Sequence, residues 1–175
     1  MLKSILAVVV VLIAGVLIYA ATKPNDFAVK RSIAIKAPPE KIYPLIADFK
    51  QWPGWSPYEN KDPAMKRTLG GTAAGPGATY AWQGNKEVGQ GEMTITGATV
   101  PTLVTIRLHF IAPFEATNQV DFRLEPRGDT TTVTWDMHGP APYVTKLMST
   151  FFDMDKMVGK DFEVGLANLK TAAEK

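Results

Sequence analysis

One mismatch narrows the fold more than anything else in this chain: a long series of half-apolar strand patterns is followed by one amphipathic helix able to cover them. Val104, Ile106, Leu108 and Phe110 share one parity, with Thr105, Arg107 and His109 on the other. Val120, Phe122 and Leu124 alternate with Gln119, Asp121, Arg123 and Glu125. Period-two alternation of this kind marks strands with one buried face. Gly128-Asp129 is a hairpin-turn dipeptide. Centring a turn there pairs Leu124 with Val133, Phe122 with Trp135 and Val120 with Met137, all on one face. A turn at Gly84-Asn85 pairs Tyr80 with Gly89, Ala78 with Gly91 and Trp82 with Glu87. It sets Tyr80 and Trp82 on the face of Met93 and Ile95, where a ring opposite a glycine can cover the gap.

The covering helix is expected from about Tyr143 to Thr171. Leu147, Phe151, Met154, Val158, Phe162, Gly165 and Leu169 advance by three or four residues along it. Lys156, Lys160, Glu163 and Lys170 fall mostly elsewhere, and a solvated face explains Asp153, Asp155 and Asp161. Upstream, Phe27 to Lys36 alternates as a strand, with Arg31 the misfit on the apolar parity. Pro38-Pro39-Glu40 opens a helix carrying Ile42, Leu45, Ile46 and Phe49, which Pro44 should kink or split. Trp52-Pro53-Gly54-Trp55-Ser56-Pro57 reads as an aromatic loop. Gly70 to Gly77 lacks the Lys-Ser/Thr ending of a phosphate loop and reads as turn and linker. A six- or seven-stranded antiparallel sheet with one long helix must curl around that helix to bury its apolar face. The expected class is α+β.

Ile5 to Ala21 is an uncharged, almost wholly apolar run of 17 residues. As a helix it spans about 25 Å, near the lower limit for a bilayer core. Lys3 precedes it, and Tyr19 and Lys23 stand where an interfacial aromatic and a snorkelling cation belong. An uncleaved single-pass anchor is the preferred reading, and a cleaved signal peptide is the alternative. The expected organisation is an anchor over 1–22, a linker over 23–26 and a domain over 27–175. Lys3 on one side and Lys23, Lys30, Arg31 and Lys36 on the other leave the side of the domain open. The net charge of +2 gives no reason to expect nucleic acid as a partner. The absence of cysteine excludes disulfides, thiolate nucleophiles and cysteine-based metal sites.

Three motifs carry a family resemblance: Ala37-Pro38-Pro39-Glu40-Lys41-Ile42-Tyr43; Phe49 and Trp52 with Trp55-Ser56-Pro57; and Gly159-Lys160-Asp161-Phe162-Glu163 with Gly165-Leu166 and Leu169-Lys170. With the order of elements, they resemble the START-like superfamily, whose helix-grip fold includes the polyketide cyclase/dehydrase-like proteins. They look like the bacterial polyketide cyclase-like branch, over about residues 27 to 173. The resemblance implies a hydrophobic ligand held between the sheet and the C-terminal helix.

The inward parity then nominates Tyr80, Trp82, Met93, Leu108, Phe110, Phe122, Trp135 and Met137 as ligand-binding, with Phe151 and Val158 facing them from the helix. Tyr80, Trp82 and Trp135 carry polar tips that need partners when buried. Glu87 beside Trp82, and Asn118, are the polar candidates on that face. Trp52, Trp55 and Tyr58 are read either as a pocket-mouth loop or as a structural plug. His109 and His138 lie on the outward parity, and neither metal nor cofactor is expected. The leading functional reading is a membrane-tethered binder of a lipid or other hydrophobic small molecule. The alternatives are a cyclase or dehydratase, and a packed interaction module.

Overall fold

The computed structural model describes residues 2–175. An N-terminal helix α1 (Leu2–Ala21) leads into β1 (Asp26–Ile35), α2 (Pro39–Ala47), a 3-10 turn (Phe49–Gly54) and a short α3 (Tyr58–Lys61). Six strands follow: β2 (Lys66–Gly71), β3 (Ala78–Gln83), β4 (Gln90–Thr99), β5 (Leu103–Ala112), β6 (Ala116–Arg127) and β7 (Thr130–Pro140). Two helices, α4 (Tyr143–Phe151) and α5 (Met154–Ala173), end the chain. The strands form one seven-stranded antiparallel sheet in the order β1-β7-β6-β5-β4-β3-β2. α1 is long and apolar enough to cross a membrane by length and composition.

The β6–β7 hairpin has the expected register, with Leu124 opposite Val133, Phe122 opposite Trp135 and Val120 opposite Met137. The β3–β4 hairpin does not. Trp82 faces Gly91 and Tyr80 faces Met93, a slip of four residues along β4. The connection is a loop over 84–89 that local hydrogen bonds hold together. Asn85 Oδ1 accepts from the Glu87 N–H at 2.8 Å, and Asp62 Oδ2, from beyond α3, accepts from the Asn85 N–H at 2.7 Å. The slip is even, so every side chain keeps its expected face. An aromatic ring does cover a glycine, but the pair is Trp82 on Gly91. A Cβ at Gly91 would run into that indole. Register shifts at Gln90/Gly91 and Ile95/Gly97 bend β4.

The expected single helix over 143–171 is two helices. Phe152 is extended (φ −124°, ψ 135°), and the Asp153 side chain caps a new helix by accepting from the Lys156 N–H at 3.1 Å. The apolar period runs through the break because the two helices bury against different things. α4 packs on α1, and α5 packs on β1 and the sheet. α5 also covers β1, an edge strand whose outer groups need partners. Lys170 Nζ donates to the Ala34 carbonyl at 3.0 Å, and Glu174 Oε1 accepts from the Lys36 N–H at 2.7 Å. Pro44 does not split α2, which continues to Ala47.

Candidate functional site

The inward face of the sheet is unevenly sealed. From the middle of the sheet, at Ile95 and Ile106, to the end remote from α1, at Val104 and Val133, the inward residues are fully buried, at 0% exposure. Towards the end where α1 joins β1, burial loosens in every central strand. Met93, Leu108 and Asn118 reach 8%, and Trp82 and Phe110 are half-buried. Strand pairing fixes which end this is. β1 begins at Asp26 opposite Pro140, and Gln119 sits opposite His138 beside it. The cover over the inward face therefore opens towards α1. At the β1 edge of the sheet, where α4 meets α5, is a separate surface groove of about 530 Å³ lined by Lys23, Asp26, Phe27, Ala28 and residues 149–155.

The closed end has an aromatic floor. Trp135 stacks on Phe162 of α5 at 4.1 Å between ring centroids, 8° from parallel. Trp55 meets Trp135 and Phe122 edge-on, and Trp52 adds a further edge contact to Phe122. A Cβ at Gly165 would press on the Trp135 ring and Pro57, so glycine sets how near α5 lies.

Hydrogen bonding separates the polar-tipped rings. Trp52 Nε1 donates to the Ile46 carbonyl (2.9 Å), Trp55 Nε1 to Leu45 (2.8 Å) and Trp82 Nε1 to Val88 (2.9 Å). Tyr80 Oη donates to Glu59 Oε1 at 2.8 Å. Trp135 Nε1 is buried with no partner, alone among the side chains of the described residues. A buried orphan donor costs about 1–3 kcal/mol.

Two polar networks fasten α3 and α5. Glu59 is buried and takes Arg67 Nε at 2.6 Å as well as Tyr80. Burial and the Glu59 carboxylate together push the Tyr80 phenol above the usual tyrosine range. Burial, with a smaller contribution from the charge of Asp161, does the same to Tyr58. Asp161 itself pairs with Lys61 Nζ at 2.7 Å. Across the cleft, Arg31 bonds both carboxylate oxygens of Asp155 (3.0 and 2.9 Å) and Glu163 Oε1 (2.8 Å). Those bonds, Asp155 first, raise the guanidinium pKa, and in return hold the Asp155 carboxyl below its usual range. A Cβ at Gly159 would collide with the guanidinium, so this glycine is the notch Arg31 lies in.

The candidates named from sequence thus divide. Trp82, Met93, Leu108, Phe110 and Asn118 gather at the less covered part of the inward face, with Val158 of α5 packed against the same core. Tyr80 lies in the row of Met93 and Leu108 but is buried, its hydroxyl taken by Glu59. Met137 lies one row deeper, level with Ile106, and Phe122 and Trp135 deeper still; all three are buried. Trp52 and Trp55 are not at a mouth: both are buried plugs tied to α2 carbonyls. Tyr58 is half-buried beside them. Glu87 is exposed in the 84–89 loop rather than opposite Trp82, as the longer loop requires. Phe151 is 65% exposed on α4 and lines the outer groove instead of facing the sheet. Asp155 and Asp161 are paired rather than merely solvated, and Asp153 is a helix cap. Sequence reasoning missed Glu59 and Arg67; their only signal was opposite charge eight positions apart across a proline-broken loop.

The family of polyketide cyclase/dehydrase and lipid transport proteins matches residues 26–174. No curated protein matches the chain. Among solved structures, the KanY protein superposes with a TM-score of 0.64 at 16% identity, over 87% of this chain and 100% of that one. A Thermobifida fusca protein gives 0.63 at 20% identity, over 83% and 92%. The Aha1 dimer from Colwellia psychrerythraea gives 0.57 at 21% identity, over 85% and 96%. At these identities the likeness is one of fold, the helix-grip arrangement.

Proposed function

The chain belongs to the polyketide cyclase/dehydrase and lipid transport family, and from that premise we propose that it holds a hydrophobic small molecule or lipid at a membrane to which α1 tethers it. The graded exposure of the inward face carries this reading. A fully packed interaction module would seal both ends of the sheet alike, whereas here cover thins towards one end, where Trp82 and Phe110 are half-buried and Met93 and Leu108 reach 8% exposure. These inward positions are apolar, and Asn118 brings an amide, which suits retention better than the proton transfers of a cyclase or dehydratase.

Native mass spectrometry of the full chain, extracted with its surrounding lipid, tests this. The expected spectrum shows an added amphiphile mass that Leu108→Trp, which fills the opening, removes. A chain that is consistently empty, and without affinity for fatty acids, phospholipids or polycyclic ligands, overturns the reading.

A further inference from the structure

α4 is amphipathic yet buries none of its residues. Tyr143, Val144, Leu147, Met148 and Phe151 share its apolar side, against Thr145, Lys146, Ser149 and Thr150. Leu147 and Met148 are half-covered, and α4 packs on α1, while Tyr143, Val144, Phe151 and the following Phe152 stay exposed. A nine-residue helix has no reason to keep such a face in water, since covering each large side chain is worth about 1.5–3 kcal/mol.

The surroundings indicate what covers it. Tyr143 Oη donates to the Leu17 carbonyl at 2.8 Å. Leu17 lies four residues before the end of α1, about 6 Å along the helix axis, which is the interfacial zone of a spanning helix. The same level carries Tyr19 with Lys23 Nζ 4.8 Å from its ring centroid, and Lys146 Nζ donating to Asn25 Oδ1 at 2.5 Å. Aromatics and lysines of this kind collect at the headgroups. A second apolar projection sits at the same end of the sheet. The β5–β6 turn carries exposed Phe114 next to exposed Ile111, on strands two and three places from β1, roughly 10–15 Å away.

We propose that α4, Phe152 and the β5–β6 tip form a second membrane contact that seats the open end of the cleft in the bilayer interface. It rests on the reading of α1 as a membrane anchor and adds what that reading lacks, an orientation. The lipid surface covers the apolar side of α4, as it does for interfacial amphipathic helices. The opening between sheet and α5 then faces acyl chains rather than water. A hydrophobic ligand passes between bilayer and cleft without crossing solvent.

The absence of cysteine makes the test direct. Single-cysteine full-length variants Phe151→Cys, Phe114→Cys, Val11→Cys and Asp129→Cys are labelled with an environment-sensitive fluorophore and reconstituted in phosphatidylcholine vesicles containing brominated acyl chains. All four side chains are exposed, so the substitutions spare the core. Val11 reports the span, and Asp129 reports the far end of the sheet. The expected result is strong quenching at 11, about twofold quenching at both 151 and 114 as interfacial depth requires, and none at 129. Quenching at 11 without quenching at 151 and 114 overturns the second contact and leaves the anchor standing. No quenching at 11 overturns the anchor and the proposal with it. Labels at 151 that are shielded but unquenched, with disulfide-linked dimers of the unlabelled variant, assign the face to a second copy and also overturn it.

Discussion

Trp135 and Trp55 are a matched pair for measuring what an unsatisfied donor costs this fold. Both are buried and lie 5.7 Å apart, edge to face. Phenylalanine at either position removes the pyrrole edge and its N–H. The lost volume, roughly 40 Å³ at about 24 cal/mol per Å³, costs about 1 kcal/mol at each site. The polar contributions have opposite signs. Trp55→Phe deletes a made bond and strips the Leu45 carbonyl of its partner, for about 1–2 kcal/mol more. Trp135→Phe removes a donor that has no partner, returning about 1–2 kcal/mol, and the remaining ring can still stack on Phe162. The expected losses are therefore about 2–3 kcal/mol for Trp55→Phe and about zero for Trp135→Phe. Guanidinium titration of the full chain in a mild detergent, followed by near-ultraviolet circular dichroism, measures both. Equal losses would refute the reasoning, because Trp135 would then have a partner in solution.

Other consequences are equally specific. Gly91→Val, which drives a side chain into the Trp82 ring, is expected to destabilise by about 1–3 kcal/mol in the same titration, while Gly54→Ala, facing open space, changes little. Gly159→Ala should expel the Arg31 guanidinium, seen as a shift and broadening of the Arg31 Nε–H resonance held by Glu163. Tyr58 and Tyr80 have raised phenol pKa values, so their contribution to stability is complete below about pH 10, where the unfolded phenols ionise. It is lost as pH rises through the raised values. Alkaline unfolding followed by phenolate absorbance should become shallower in Tyr58→Phe.

What was legible from the chain follows the range of the forces involved. The face of each central-strand residue was readable because period-two alternation is local, and an even slip at the 84–89 loop leaves it intact. The slip itself was hidden, because Asp62 gripping the Asn85 N–H joins groups 23 positions apart. The break at Phe152 was hidden for a related reason: the apolar period continues through it, and only the destination of each helix changes. Arg31 read as a misfit because its partners, Asp155 and Glu163, lie more than a hundred residues away. The open end of the cleft was not readable at all, since it depends on how far α5 reaches over the sheet.

That reach is unequal along α5, and the inequality bears on how the cleft could admit anything. The C-terminal half buries Phe162, Gly165, Leu166, Leu169 and Ala173. The N-terminal half buries only Gly159 and is held mainly by the charges of Asp155 on Arg31. Apolar burial is indifferent to salt, whereas exposed ion pairs weaken as ionic strength rises. Local opening should therefore start at residues 154–160 while 162–173 stay closed. Hydrogen exchange read by mass spectrometry is expected to show faster exchange in the first segment, accelerated further by added salt, with the second segment, whose apolar burial outweighs the Arg31–Glu163 pair, much less affected. Uniform protection along α5, or an equal salt response in its two halves, would mean that the helix moves as one rod and that the charge clamp at Arg31 does not decide which end lifts.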